Sequence, residues 1–407
     1  SDSPAGLIIS ERMRAQIAGL RQAIDNSETG ITMLQTAEGA LEEVNRSLIG
    51  IRQIAISSAN EAVNDESMLA ANQQQLENSL RTIDRIAKIS NYGKKAILDG
   101  SMGANGVAIG ENLEFVSATE NTKSSPVGGY EVEIKTAATQ STVKGTVALN
   151  QALIDAGEQL TFSEGGKTLN FETIAGESVE TTMNRLEKDI IASEMDIEMV
   201  RIPGSAEIPN APQILSFKHK EYGSEHFFQV ASRTSGVLSA QADVSVKIQN
   251  GDDVAGFIGG ELGLGRGQYL TGSLPSTISG LKIRYTGENA PLKGKIAGTV
   301  TLSQNSLVFH VGANVEQSTS FSLQSVNSKK LGNGVTNDSG FRSLNDVEFT
   351  DAERSQDAIL IIDRAIDEIT QFRGKMGAFQ KNDLESNLNF LRNAHENVTN
   401  AESIIRD

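Results

Sequence analysis

The chain has 407 residues, a formal net charge of −16, 38% hydrophobic residues, 5% aromatics, no tryptophan and no cysteine. Without cysteine there are no disulfides, thiolate metal sites or cysteine nucleophile. Acidity without a basic stripe argues against nucleic acid or an anionic membrane surface as a partner. The length suits two or three domains, and the lean apolar content favours long, thin elements over one thick core. No apolar run of about 18 residues offers itself for membrane insertion, and no signal-peptide pattern opens the chain.

From the N-terminal side, apolar residues recur at Met13, Ile17, Leu20, Ile24, Ile31, Leu34, Ala37, Leu41, Val44, Leu48, Ile51 and Ile54, with a skipped position at Ser27. Steps of three and four predict one long amphipathic helix. The stretch "SANEAVNDES" has turn chemistry. A second, shorter helix runs through Leu69, Leu76, Leu80, Ile83 and Ile86, with Asp65 or Ser67 as its cap.

The middle changes character. Six of the seven prolines lie between 126 and 291, with Pro4 alone outside. Because proline breaks helices, this places another architecture between two helical flanks. "YEVEIKTA" from Tyr130 alternates with period two, and "QLTF" and "TLNF" flank Gly165-Gly166 as a hairpin. "SVETTMNRLEKDIIAS" returns to helical spacing at Val179, Met183, Leu186 and Ile190. "MDIEMVRI", "ILSFKHK-EYGSE-HFFQVAS", "ADVSVKIQNGDD" and "GLKIRYTG" read as further strands. "SLVFHVGANVEQSTSFSLQSV" predicts a last strand pair that rejoins the helical part.

The C-terminal flank carries Ile359, Ile362, Ile366, Ile369, Met376, Leu384, Leu388, Leu391, Val398 and Ile405 on one stripe, with Phe372 and Phe379 beside it. At 1.5 Å per residue this is a helix roughly 70 Å long, and its partner must be of similar length. Only the N-terminal run qualifies. Gly374 and Gly377 mark either a close helix approach or a local bend.

The fold class is therefore α+β and multidomain. Residues 1–127 and 304–407 form a helical rod with a short β-hairpin region, and 128–303 form an inserted, mostly β outer domain of one or two subdomains. The expected seam of the rod is Ile17, Leu20, Ile24, Leu34, Leu41, Leu48, Ile366, Leu384, Leu388 and Leu391.

No catalytic constellation emerges. His219 and His226 flank "KEYGSE" on opposite arms of an expected hairpin, and a metal site there would need Glu221 or Glu225 as a third ligand. Two exposed strand histidines are the favoured reading. "ELGLGRGQ" superficially resembles a phosphate-cradling loop but lacks the Gly-Lys-Ser/Thr ending, so it reads as an inter-strand loop. "NGDDVAGFIGG" does not match calcium-loop spacing, and no serine sits in G-x-S-x-G. The expectation is a protein without enzymatic activity, metal or cofactor.

At the flanks a family resemblance enters. The segment from Ser1 through "MLQTAEGALEEVNRSLIGIRQIAISSAN" resembles the N-terminal core of bacterial flagellin. "NYGKKAILDGS" is similar to the segment after that family's second helix, and the stretch from Ile362, "IDRAIDEITQFRGKMGAFQKNDLESNLNFLRNAHENVTNAESIIRD", resembles its C-terminal core. "VAGFIGG" and "SLVFHVGAN" also look like flagellin stretches.

The resemblance implies a helical domain made from both chain ends, with self-assembly into the extracellular flagellar filament for motility. It also implies that residues before Asp2 and after Asp407 form an innermost coiled-coil domain absent here, as in a truncated subunit. The implied partners are other copies of the chain, hook-associated and cap proteins, an export chaperone acting through the missing C-terminus, and an innate-immune toll-like receptor. Neither nucleic acid nor membrane insertion is implied. Arg12, Arg14, Asp363, Arg364 and Asp367 are the exposed candidates for subunit contacts.

A hook–filament junction protein is the nearest rival, but "LQTAEGAL" and "AESIIRD" favour the filament subunit. An adhesin or glycan-binding role for 128–303 is compatible with filament formation.

The receptor surface of agonist flagellins corresponds here to Gly50, Arg52, Ile54 and Gln75. Ile54 matches the family's apolar residue, whereas Gly50 stands where agonists carry Arg and Gln75 where they carry Glu. Losing both charges predicts weak signalling. In receptor-reporter cells the response should fall well below that of a typical enteric flagellin, and an equal response would contradict the reading.

Overall fold

The computed structural model describes residues 4–60, 62, 64–201, 211–292 and 294–406. Glu61 and Val63 in the expected turn, and Ile202, Pro203 and Pro209 in the middle, lie outside the described residues.

In chain order the elements are α1 (Pro4–Ser58), α2 (Glu66–Ile89), β1 (Asn91–Tyr92), β2 (Lys95–Ala96), β3 (Ala104–Ile109), β4 (Leu113–Ser117), β5 (Tyr130–Thr136), β6 (Gln140–Lys144), α3 (Gln151–Asp155), β7 (Gln159–Glu164), β8 (Lys167–Glu172), α4 (Val179–Ala192), β9 (Ile197–Met199) and β10 (Ser216–Tyr222). Then come β11 (Gln229–Ser232), β12 (Val246–Lys247), β13 (Ala255–Ile258), β14 (Glu261–Arg266), β15 (Tyr269–Gly272), β16 (Lys282–Tyr285), β17 (Gly298–Gln304), β18 (Leu307–His310), β19 (Ser318–Phe321), α5 (Ala352–Phe379) and α6 (Ser386–Arg406). One compact unit holds 1–106, 116–124 and 302–407, and the other holds 107–115 and 125–301. Residues 107–115 and 125–127, expected in the rod, thus group with the second unit, and 302–303, expected in the outer domain, group with the first.

In the first unit, α1 runs antiparallel to α5 and α6. Leu34, Leu41, Val44, Leu48 and Ile51 of α1 are fully buried, together with Ile361, Ile362, Ala365 and Leu384. At about 1.5–3 kcal/mol per large buried side chain, this seam contributes much of the unit's stability. The skipped position, Ser27, is buried with its hydroxyl donating to the Ala23 carbonyl at 2.9 Å. Helix α2 starts on Asp65, whose carboxylate accepts from the Met68 N–H at 2.8 Å, and Ser67 donates to the same oxygen. The cap is therefore Asp65.

The C-terminal stripe contains one irregular step. Phe372, Met376 and Phe379 are buried, and the next buried residue is Leu384, five positions on; Leu388 and Leu391 then resume the interval of three to four. A π-helical turn, Gln380–Glu385, lies across that step. Its wider i→i+5 repeat absorbs the extra residue and returns the apolar face to α1. The bend expected of Gly374 and Gly377 is thus not theirs. Both are exposed, and a Cβ on either would meet nothing within 4 Å, so they mark no close approach.

The pair β18–β19 lies in this unit, in register from Leu307↔Phe321 to His310↔Ser318. Phe309 contacts Phe379, and Phe321 sits 4.8 Å from the same ring. Gly30 of α1 makes room for this hairpin, since a Cβ there would stand 2.9 Å from Phe309 and 3.3 Å from Leu384. Residues 322–351 then form a long strap with one short 3-10 turn, Leu344–Asp346. The strap buries Leu331, Phe341, Leu344, Val347 and Phe349 in the same core.

The second unit has an eight-stranded sheet in the order β3-β17-β5-β13-β14-β15-β16-β4, a sheet β12-β11-β7-β8 and a sheet β6-β10-β9. The hairpin β7–β8 turns on Gly165 (φ 57°) and Gly166 (φ 82°), the left-handed pair that a tight turn requires. Helix α4, capped by Ser178, buries Val179, Met183, Leu186 and Ile190 at the expected spacing. They meet Phe162 and Phe217, whose rings pack edge to face at 4.7 Å.

Two expectations fail here. The segments β10 and β11 are not hairpin partners: β10 lies between β6 and β9, and β11 between β7 and β12. "ELGLGR" is itself strand β14, because its glycines admit close neighbours on one side.

The helix glycines give a stability test. Gly39→Ala, in open space, should raise stability by about 0.5–1 kcal/mol through helix propensity. Gly30→Val should lower it by about 1–3 kcal/mol through overpacking against Phe309. Urea denaturation of the two variants would show opposite shifts of midpoint.

Candidate assembly surface

Polar contacts fix how α1 registers against α5 and α6. Arg52 binds Asp363 with Nε–Oδ1 at 2.5 Å and Nη2–Oδ2 at 3.3 Å. Arg373 binds Glu38 through Nε at 2.8 Å and Nη2 at 2.6 Å. Arg392 reaches Glu28 at 2.7 Å, and Glu402 accepts from Ser10 Oγ at 2.9 Å and Arg14 Nε at 3.1 Å. From Arg52 back to Arg14 is 38 positions on α1, while from Asp363 on to Glu402 is 39 on the partner. The π turn accounts for a surplus of this size. Each pair is at least partly exposed on one side and contributes little alone. Together they allow one register and penalise a slip.

The strap is held by its backbone. Asp84 accepts the Ser328 N–H at 2.8 Å, Glu368 that of Gly332 at 2.9 Å, and Asp357 that of Ser339 at 2.7 Å. Gln73 accepts the Phe349 N–H at 2.8 Å. A segment without regular structure thereby finds acceptors for amides that would otherwise be lost from water. Burial pushes the Glu368 carboxyl above the usual glutamate range, against the pull of the Gly332 N–H and Arg364.

Of the expected seam, Leu20, Leu34, Leu41, Leu48, Leu384, Leu388 and Leu391 are buried, while Ile17, Ile24 and Ile366 are half-buried. The centre of the buried face on α5 is Ala358, Ile361, Ile362, Ala365 and Ile369, about one residue off the expected stripe, because α5 packs on the strap as well as on α1. Of the residues proposed for subunit contacts, Arg12 and Asp367 are exposed. Arg14, Asp363 and Arg364 instead hold intramolecular partners, Glu402, Arg52 and Glu368 respectively. Of the receptor-surface residues, Gln75 is exposed and Gly50 half-buried with open space around it. Ile54 packs against the core, and Arg52 is engaged by Asp363.

Sequence reasoning missed the strap's apolar residues and the pairs Glu38–Arg373 and Glu28–Arg392. Their only signal was acids on the long N-terminal helix opposite arginines on the C-terminal one.

The histidine pair does not make a metal centre. His219 is 2% exposed, not a surface residue, and its Nδ1 accepts the Glu221 N–H at 3.0 Å. The His226 ring lies 5.0 Å away. Glu225 is taken up by Arg266. Among the described residues no cluster of three His, Asp or Glu side chains could hold a metal ion, and no helix is long and apolar enough to cross a membrane.

A long two-ended helical rod with an inserted β-rich unit defines a structural, assembly-type protein. The model of the bacterial flagellin N-terminal helical region matches residues 1–102, and that of the flagellin C-terminal helical region matches 359–407. Both matched regions are those of bacterial flagellin, and together with relatives of that name along the whole chain they support a bacterial flagellin. Over 111 residues the chain is 41% identical to a flagellin of Halalkalibacterium halodurans, covering 27% of this chain and 40% of that one. Against the B-type flagellin of Pseudomonas aeruginosa it is 27% identical over 100% of this chain and 83% of the relative. A flagellin of Clostridium tyrobutyricum is 26% identical, over 100% and 81%.

The carboxylates give a pH test. Hydrogen bonds from Ser10 and then Arg14 hold Glu402 below the usual range. A depressed folded value means that its stabilisation is present above the ordinary glutamate pKa of about 4.3 and is lost as pH falls through the folded value. Glu368, raised by burial, has the opposite sign: its ionised form is disfavoured in the fold, and acid relieves it. Thermal midpoints measured from neutral pH downwards should therefore decline less steeply in acid for Glu402→Gln, and more steeply for Glu368→Gln, than for the parent chain.

Proposed function

We propose that the chain works as a filament subunit through its rod, with no catalytic role, in the extracellular flagellum. The observation carrying this reading is that the two flagellin-matched ends are the same segments that pack into one antiparallel rod. Motility and export follow from the family. An open helical array needs heterologous contacts, in which one face of a subunit meets a different face of the next. Arg12 and Asp367 suit such contacts because the fold leaves both exposed. Hook-associated and cap proteins, an export chaperone and a toll-like receptor are the partners this reading adds, the last with weak engagement.

Electron microscopy of the native gene product after salting-out tests the proposal. Filaments are expected, and a product that stays monomeric would overturn it. Asp367→Lys should slow filament growth severalfold while leaving the thermal midpoint of the soluble subunit unchanged.

A further inference from the structure

The chain holds three Asn–Gly pairs, Asn105–Gly106, Asn250–Gly251 and Asn333–Gly334. An asparagine before glycine is open to attack by its own neighbour, because glycine has no Cβ to keep its nitrogen away from the asparagine Cγ. Whether the attack occurs depends on how firmly the fold holds both residues. Two of the pairs are held. Asn105 and Gly106 lie in strand β3, and Asn105 Nδ2 donates to the carbonyls of Gly100 at 2.6 Å and Gly103 at 3.4 Å. Gly251 is buried so closely that a Cβ would stand 2.1 Å from the Thr139 carbonyl oxygen, and Asn250 Nδ2 donates to the Ser224 carbonyl. Beside that pair the Asp252 N–H donates to Thr139 Oγ1 at 2.8 Å, and the Thr139 N–H donates back to the Asp252 carbonyl at 2.9 Å.

Asn333 and Gly334 sit in the strap, outside any helix or strand. Asn333 is exposed, and its Nδ2 donates at 2.8 Å to the Lys330 carbonyl, a local contact that is itself exposed. The residues on either side are anchored. Gly332 is buried, its N–H donates to Glu368 at 2.9 Å, and a Cβ on it would stand 2.7 Å from Ile361 Cγ2. Val335 packs against the rod core. The pair is thus a small arch between two fixed feet.

We propose that Asn333 is a site of spontaneous deamidation, selected by the fold over Asn105 and Asn250, and that its product loosens the strap. The Gly334 nitrogen gives up its proton to solvent base and attacks Asn333 Cγ. The N–Cγ bond forms, the Cγ–Nδ2 bond breaks, and the side-chain amide leaves as ammonia. Water then opens the succinimide ring at either carbonyl, giving aspartate or, with the chain rerouted through Cγ, isoaspartate. One water is consumed, one ammonia is released, and nothing is oxidised or reduced. Neither product keeps the Nδ2 donor, so the hydrogen bond to the Lys330 carbonyl is lost. Each product adds a negative charge one residue from the contact of Gly332 with the Glu368 carboxylate. Isoaspartate also lengthens the backbone between feet that are already fixed by packing. The proposal stands apart from the filament reading and survives its failure.

Ageing the soluble chain at mildly alkaline pH, followed by peptide mass spectrometry, tests it. The peptide holding Asn333 should gain about one mass unit at least fivefold faster than those holding Asn105 and Asn250. In concentrated urea, where no fold protects them, the three should convert at similar rates. Amide hydrogen exchange reads the consequence: residues 328–341 should exchange severalfold faster in the aged chain than in the fresh one. Asn333→Asp should reproduce part of that loss without ageing, and Asn333→Gln should exchange equally slowly before and after the same treatment. Circular dichroism reports whether each variant is folded. Conversion of the folded chain led by Asn105 or Asn250 would overturn the proposal, as would a strap that exchanges no faster once Asn333 has converted.

Discussion

The antiparallel contact of α1 with α5 and α6 is the constraint on which the rest of the rod depends. The hairpin and the strap cover only part of these helices, and isolated helices owe most of their stability to an amphipathic face that finds cover. Here the cover comes from the far end of the same chain, more than 300 residues away in the pair Arg52–Asp363. Closing so large a loop carries an entropic cost that grows only slowly with length. A β-rich insertion between the two helical ends is therefore tolerable as long as the seam itself is continuous.

Continuity is where the details matter. The apolar repeat of the C-terminal helix slips by one residue between Phe379 and Leu384, and the π turn takes up the slip. Gly30 opens a space on α1 opposite that region for Phe309, so the hairpin β18–β19 packs where the helical repeat is irregular. The ion pairs on either side then hold one register, with Arg373 on Glu38 before the slip and Arg392 on Glu28 after it. Apolar burial supplies the stabilisation, and the charges choose among registers.

Much of this was legible in the sequence, because a period of 3.6 is a local signal carried by many residues. Proline placement, the hairpin at Gly165-Gly166 and helix α4 were legible for the same reason. What the sequence concealed was non-local. The strap at 322–351 has no period, and its apolar residues acquire meaning only once α2 and α5 are in place. His219 looked like a surface strand residue because alternation says nothing about which sheets cover a strand. "ELGLGR" looked like a loop because glycine usually weakens a strand, and only the packed structure shows Val254 and Leu270 filling the space that side chains would need. Arg52 and Asp363 were read as free to meet other proteins, and the fold has them meet each other.

The most direct test of the account is a distance between the two chain ends in solution. Spin labels placed at positions 35 and 389, both exposed on the helices they mark, would report how α1 and α6 lie by pulsed electron resonance. The account predicts a single narrow distribution consistent with two helices whose axes pack about 8–10 Å apart, extended by the labels' own reach. A broad or long-distance distribution, with α1 still helical, would show that the two ends do not form one rod.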